Sequence, residues 1–536
     1  MTAPSCHDKD GVPREACGLV GIIGHPRAAE RAFYGLFALQ HRGQESAGIA
    51  VRSSRGLNGH TGMGLACDVF TAAALATLEG DAAIGHVRYS TTGSSSLRNA
   101  QPLLVDYARG QLAVGHNGNL VNAGSLRKEL EASGSIFQTT TDSEIIIQLM
   151  ARPFNGSFDE VLANVMRRIQ GAYSLAMLTP DALIGVRDPR GFRPLSLGSL
   201  DGAWILSSET CAFDLIGATF VRDIEPGEIV IIDSRGPRSV RIGPVAKPAR
   251  CIFEYVYFAR PDSSLWGRTC HTVRKQLGRQ LAAEHPAKAD VVVAVPDSGS
   301  SAALGFAEAS GLPFEFAYIR NHYVGRTFIA PSQVDRDLKA RVKLNVMPAV
   351  VKDKRVVIVD DSIIRGTTTI GRIAELKRAG AREVHMRVSC PPTRHPCFYG
   401  VDFPSPDQLI AARMSVGDIQ RFLCADSLGY LSIEGLTAAC GGGDGFCRAC
   451  YDGVYPIPPE EPMAKECMER KPPPTAQAPP LPAGMDTKAA KRPRLKKAAV
   501  AAATPPLDHP EPEAAPAKPA RRATRPAGPA GPAELF

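Results

Sequence analysis

Short apolar runs separated by glycine-rich turns fill the chain from Cys17 to about Pro244: GLVGIIG, ESAGIAVR, AIGHVRYS, LAVGHNGNL, YSLAML and WILSSE. Runs of this length between turn residues predict strands, and helical stretches are predicted among them near Glu30 to Gln40, Asp142 to Met150 and Phe158 to Ile169. The pattern changes after PVAKPAR. Between Arg250 and Leu436, strongly apolar strands (ADVVVAVP, RVVIVDD, EVHMRVS) alternate with helical stretches at His271 to Glu284 and Thr367 to Ala379. That is the pattern of a parallel sheet buried on both faces. The expectation is an α+β domain rich in strands over 17–245, then an α/β domain over 246–458 closed by the Gly/Cys-rich CGGGDGFCRAC. A polar leader, 1–16, precedes them. The tail, 459–536, is rich in Pro, Ala and Lys, holds too little apolar surface to fold, and is predicted to be disordered.

Composition sharpens this division. The 536 residues are 44% hydrophobic and 22% charged, enough for two or three domains. The formal charge of +8 belongs mostly to the tail: Lys471 to Phe536 carries eleven basic residues against five acidic, while the rest balances 51 against 49. The folded part therefore gives no reason to expect nucleic acid as a partner, and KRPRLKK (491–497) reads as a solvated charge run. No run approaches the roughly 18 to 20 apolar residues of a membrane span, and the start lacks a basic stretch followed by a long apolar one. A cytoplasmic protein is expected. Thirteen cysteines in such a chain point to catalytic or metal-binding thiols rather than disulfides.

Cys17 opens a strand-like run, CGLVGI. Removal of the leader would give it a free α-amine of pKa about 7.7 to 8, able to serve as the thiol's own general base without a histidine. The same region holds RGQESAG (42–48), GHVRYSTTG (85–93), GHNGNL (115–120) and TTTDSE (139–144). The Asn117 amide and the Gly118 backbone N–H suit a developing oxyanion. Arg88 offers a planar fork for an α-carboxylate, and Asp142 suits an α-ammonium. An amino-acid amide satisfies all of these roles. Cys17 with these motifs resembles the class II glutamine amidotransferases, the N-terminal-nucleophile glutaminases. The resemblance implies that Cys17 is the nucleophile, that Arg88, Thr91 and Asp142 bind glutamine, and that Asn117 and Gly118 form the oxyanion hole.

RVVIVDDSIIRGTTTIGRIAEL (355–376) is an apolar strand, two adjacent acids, a small-residue loop and a helix. Backbone N–H groups of Gly366, Thr367 and Thr368 at the helix start suit a phosphate, and Asp360 and Asp361 suit sugar hydroxyls or a hard divalent cation. This string resembles the signature of type I phosphoribosyltransferases, whose acids hold the ribose and whose Thr-rich loop holds the 5′-phosphate of phosphoribosyl pyrophosphate. By that resemblance Ser298, in VPDSGSSAALG, joins Asp360 and Asp361 around Mg²⁺. The cationic stretch 320–345 becomes a lid, Arg326 within it, that excludes water from a cation-like transition state.

A glutaminase followed by a phosphoribosyltransferase resembles the amidophosphoribosyltransferase family over about residues 17–455. The resemblance implies transfer of ammonia from glutamine to C1 of phosphoribosyl pyrophosphate, giving phosphoribosylamine, glutamate and pyrophosphate, as the first step of purine synthesis. It further implies feedback inhibition by purine nucleotides and a homotetramer. Cys251, Cys397, Cys447 and Cys450 resemble the positions at which one branch, also carrying a cleaved leader, ligates a [4Fe-4S] cluster. By count alone four thiolates suit that cluster or Zn²⁺ equally, and Cys424 and Cys440 lie near enough in sequence to substitute. Two other readings are disfavoured: a sugar-phosphate aminating enzyme by the DDSIIRGTTT loop, and a nucleotide-sensing regulator by the presence of Cys17 with an oxyanion site.

Overall fold

The computed structural model describes residues 17–89, 94–244, 246–320, 344–403 and 405–460. The leader, Thr91, Arg326 and the tail beyond 460 lie outside these residues. The first half stacks two antiparallel sheets. One has seven strands in the order Thr219–Asp223, Ser196–Leu200, Ala203–Ser207, Gly18–Ile23, Ala82–Arg88, Ser46–Ser53 and Gly56–Met63. The other has six: Gly236–Arg241, Glu228–Asp233, Leu183–Arg187, Gly171–Leu178, Gly110–Leu120 and Leu103–Tyr107.

Strand Gly18–Ile23 shows why its sequence is apolar throughout rather than alternating. Leu19 and Ile23 join Ile84, Ala113, Ala176 and Leu183 in the core between the sheets. Val20 and Ile22 point the other way, into a core shared with helix Ala28–Ala38 and helix Cys211–Ile216. The six-stranded sheet is covered on its outer face by helices Ala123–Ala132, Ser143–Met150 and Phe158–Arg168. The result is a helix–sheet–sheet–helix stack in which both faces of the central strands are buried.

The second half is built on a parallel sheet in the order Val291–Ala294, Arg355–Asp360, Glu383–Val388 and Ser427–Tyr430. Helices Cys270–Glu284, Ser300–Ser310, Thr367–Arg378 and Ile433–Ala439 contribute to its core. Strands Tyr318–Arg320 and Leu344–Val346 pair antiparallel at the base of the stretch expected to be a lid. Two short strands close the fold: Arg250–Cys251, where the chain leaves the first half, pairs in parallel with Phe446–Cys447, with Cys251 opposite Cys447. The five-residue π-helical turn Glu254–Phe258 follows directly. Among the described residues no helix is long and apolar enough to cross a membrane, and the described cysteines are free thiols.

Candidate active sites

Cys17 immediately precedes strand Gly18–Ile23, and Arg88 ends the neighbouring strand, in which Val87 pairs with Gly18. The Cys17 thiol is buried and donates to the Tyr89 carbonyl at 3.4 Å. Burial pushes its pKa up; the Tyr89 contact and Arg88 oppose this, while Glu45 and Asp142 add to it. Arg88 and Asp142 thus reach the thiol electrostatically, and no imidazole stands among its main influences. Arg88 is itself buried and bonds Glu45 through Nη1, a partner that the sequence reading left unassigned.

Asn117 and Gly118 lie on strand Gly110–Leu120 of the other sheet. His86 Nε2 meets the His116 carbonyl at 3.0 Å, joining the two sheets beside them. Asn117 is fully buried, yet among the described residues neither its Oδ1 nor its Nδ2 has a hydrogen-bond partner. A buried amide left unsatisfied costs roughly 1–3 kcal/mol. Gly118 has φ +145°, and a Cβ there would lie 2.0 Å from the Ala172 carbonyl oxygen, so only glycine fits. Asp142 precedes helix Ser143–Met150 and accepts from the Leu120 N–H at 2.9 Å, and His116 Nδ1 stands 3.5 Å from its Oδ1. Burial raises the Asp142 pKa, but His116 and the N–H donors outweigh it and the net displacement is downward. The lowered pKa favours the ionised carboxylate.

Segment 398–402 of the second half forms part of this region. Asn119 Nδ2 donates to the Phe398 carbonyl at 3.1 Å, and the Tyr89 hydroxyl donates to Asp402 at 3.2 Å.

In the second half, Asp360 ends strand Arg355–Asp360 and is buried with Asp361. Its Oδ2 accepts from Arg372 Nη1 at 2.7 Å, a partner twelve residues on that the sequence did not disclose. Burial pushes the Asp360 carboxyl well up, and neighbouring Asp361 adds to this against the pull of Arg372. Gly366, at φ +79°, precedes helix Thr367–Arg378, with Thr367 exposed and Thr368 half-buried. Ser298 sits in the loop before helix Ser300–Ser310. The next residue, Gly299, would place a Cβ 3.2 Å from the Asp360 Cα, so this loop and the acidic pair adjoin.

Cys251, Cys397, Cys447 and Cys450 converge between the halves. Cys251 and Cys447 pair in register, and the Cys450 carbonyl accepts from the Arg394 and His395 N–H groups. Burial raises the Cys450 thiol well above its usual pKa, and Cys447, Cys251 and Cys397 raise it further. Three buried thiols and the half-buried Cys397 are a donor set suited to a soft metal. Among the described residues, however, no three His, Cys, Asp or Glu side chains close into a ligand set for a metal ion, these four included. Cys390 adds to the same upward displacement of Cys450.

Residues 86–214 match the family model for a glutamine amidotransferase domain, and residues 273–399 that for a phosphoribosyl transferase domain. The chain is 50% identical to the chloroplastic amidophosphoribosyltransferase of Glycine max, over 85% of this chain and 80% of that one. It is 47% identical to the amidophosphoribosyltransferase of Bacillus subtilis, over 82% of this chain and 94% of that one. A solved glutamine phosphoribosylpyrophosphate amidotransferase from B. subtilis, complexed with ADP and GMP, superposes with a TM-score of 0.81 at 45% identity, covering 84% of this chain and 100% of that one. With both domains in order and relatives this similar along most of its length, the chain belongs to the amidophosphoribosyltransferase family and catalyses the glutamine-dependent amination of phosphoribosyl pyrophosphate in purine biosynthesis.

Proposed function

We propose that the reaction divides between the two halves as follows. Glutamine binds with its α-carboxylate on Arg88, its α-ammonium on Asp142, and Thr91 adjoining. The Cys17 sulfur attacks the side-chain amide carbon, and its proton passes to the α-amine that residue 17 acquires when residues 1–16 are removed. The oxyanion is held by Asn117 Nδ2 and the Gly118 N–H. On collapse the carbon–nitrogen bond breaks, the amine returns its proton to the leaving nitrogen, and ammonia departs. Water then hydrolyses the thioester to glutamate and the free thiol. The observation that carries this reading is the buried Asn117 amide, unpartnered among the described residues, in the region of a buried thiol that senses one cation and two carboxylates.

In the second half, the N–H groups of Gly366, Thr367 and Thr368 take the 5′-phosphate at the helix N-terminus. Asp360 and Asp361 take the ribose hydroxyls. Ammonia attacks C1 as the bond to pyrophosphate breaks, and Arg326 is a further candidate for binding pyrophosphate. Mg²⁺ commonly takes one or two carboxylates and completes its shell with substrate phosphates and water. Arg372 meets one oxygen of Asp360 and Ser362 one oxygen of Asp361; the remaining carboxylate oxygens and Ser298 would hold the ion, which would neutralise charge on the departing pyrophosphate.

The four thiols suit a [4Fe-4S] cluster better than zinc. A single tetrahedral Zn²⁺ needs sulfurs about 3.8 Å apart, from Zn–S distances of about 2.3 Å. The resemblance of these four positions to a cluster-ligating branch favours the cluster, whose role is to fasten the closing segment. The complex of the B. subtilis relative with ADP and GMP supports purine nucleotides as feedback inhibitors of this chain. A homotetramer in the cytoplasm completes the reading.

The test is Cys17→Ser. Glutamine-dependent turnover should vanish while turnover with high free ammonia persists; loss of both would refute the division of labour. Intact mass of the active protein should lack residues 1–16.

A further inference from the structure

Gly118 is confined from two sides. On one, Ala172 of its own sheet admits no Cβ. On the other stands Gly400 of the phosphoribosyltransferase half, with φ +97°, where a Cβ would come within 2.9 to 3.0 Å of the Gly118 carbonyl carbon, Cα and oxygen. These contacts are backbone against backbone, so neither side can yield by turning a side chain. The next residue of the strand is tied to the same segment, Asn119 Nδ2 donating to the Phe398 carbonyl at 3.1 Å.

Segment 397–400 is itself held firmly. The Tyr399 N–H donates to Cys397 Sγ at 3.3 Å. The Tyr399 carbonyl accepts from Arg193 Nε and Nη2 at 3.1 and 3.0 Å, and its ring stacks on Phe192 with centroids 4.3 Å apart. Its hydroxyl donates to the Ile457 carbonyl at 2.7 Å and accepts from the Ile457 N–H at 2.9 Å.

We infer that segment 397–400 is the back wall of the oxyanion site, with Gly400 a positioning residue for the Gly118 N–H. The phosphoribosyltransferase half thereby sets the geometry in which the glutaminase half stabilises its transition state. An oxyanion donor acts only when fixed in advance at the right place, and Gly118 is fixed from outside its own domain. The inference rests on the assignment of Asn117 and Gly118 as the oxyanion site.

The test compares the parent enzyme with Gly400→Ala on three readouts: glutamine hydrolysis, ammonia-dependent turnover and the rate at which iodoacetamide alkylates Cys17. Removing an oxyanion donor outright costs about 100- to 1000-fold, so a displaced one should lower kcat for glutamine hydrolysis by roughly tenfold or more. Glutamine KM, alkylation and ammonia-dependent turnover should stay within about twofold, because none of them uses the oxyanion. Unchanged hydrolysis overturns the inference. So does a parallel fall in ammonia-dependent turnover, which would make Gly400 a general structural residue. Should the strained alanine prevent folding, Asn119→Ala decides on the same readouts, with a fall of about threefold or more in kcat expected and unchanged hydrolysis overturning the inference. Asn117→Ala separates the two levels: if it leaves glutamine hydrolysis intact, the oxyanion assignment itself is wrong. If it abolishes hydrolysis while the segment variants do not, the wall alone is wrong.

Discussion

Arg42 and Glu254 face each other across the boundary between the two halves, both side chains fully buried, with Nη1 and Nη2 donating to Oε2 and Oε1 at 2.9 and 2.8 Å. Arg42 Nε also donates to the Cys17 carbonyl at 3.0 Å, and Nη1 to Glu209 at 2.5 Å. A second arginine, Arg193, reaches Glu254 at 2.9 Å. Two guanidinium groups and two carboxylates, all buried, thus compensate one another. Burial pushes the Glu254 carboxyl up, but Arg42 and Arg193 outweigh this and hold it below its ordinary range.

Glu254→Gln keeps the shape and removes the charge that both arginines share. Breaking a buried ion pair from one side typically costs about 3–5 kcal/mol, because the remaining charge stays buried without compensation. The variant should lose stability on that scale in urea-induced unfolding. A loss below about 1 kcal/mol would mean that water reaches the network and that it is not the buried contact described.

This network marks where the sequence stopped being legible. Cys17, Arg88, Asn117 and Asp142 stood out because each lies in a short motif whose local chemistry can be read. The continuous apolar runs named the strands because both faces of each sheet are covered. Arg42 and Glu254 are 212 residues apart, and nothing local to either announces the other. The same holds for Gly400, which looks like an ordinary turn glycine until the fold places it against Gly118. Arg372 escaped notice because its partner Asp360 lies on another element, one strand end and one helical turn away.

Asp188 provides a pH test. It is buried, and burial raises its carboxyl to about 6, against the opposing effects of Arg187 and the N–H groups of Arg190, Tyr173 and Phe192. A carboxyl whose folded pKa exceeds its unfolded value of about 3.9 binds its proton more tightly when folded. The stability it contributes is full below about pH 4 and is lost as pH rises through about 6, a change of roughly 3 kcal/mol at 1.36 kcal/mol per unit. Asp188→Asn removes this titration. Relative to the parent, the variant should therefore gain stability between pH 4 and pH 7 in denaturant melts. A difference that does not move with pH would show that Asp188 is ionised throughout.

Asp361→Asn should injure both routes to product alike. Glutamine and free ammonia converge on one phosphoribosyl site, so a loss there cannot be bypassed by supplying ammonia. Hydrogen bonds to a charged group contribute about 1.5–3 kcal/mol, so kcat/KM for phosphoribosyl pyrophosphate should fall on the order of 10- to 150-fold with either nitrogen source. Glutamine hydrolysis measured alone should fall less. A variant impaired with glutamine but normal with ammonia would remove Asp361 from the phosphoribosyl site.

The four thiols can be tested through the strand pair they flank. Arg250–Cys251 and Phe446–Cys447 form a two-residue parallel pair, too short to hold by its own hydrogen bonds. Binding energy at a structural metal site is also folding energy, so a cluster on Cys251, Cys397, Cys447 and Cys450 would supply what the strands lack. Protein purified without oxygen should be brown and contain about four iron atoms per chain, the count of a [4Fe-4S] group. Cys447→Ser should lose most of the iron, and amide hydrogens near 250–252 and 446–450 should exchange faster, because the pair has lost its fastening. A colourless parent containing one zinc would transfer the same mechanical role to a different metal. A parent without bound metal, in which those amides are nonetheless protected, would show that packing of Phe446 and its neighbours in the core is sufficient, and the cluster would fall from the reading.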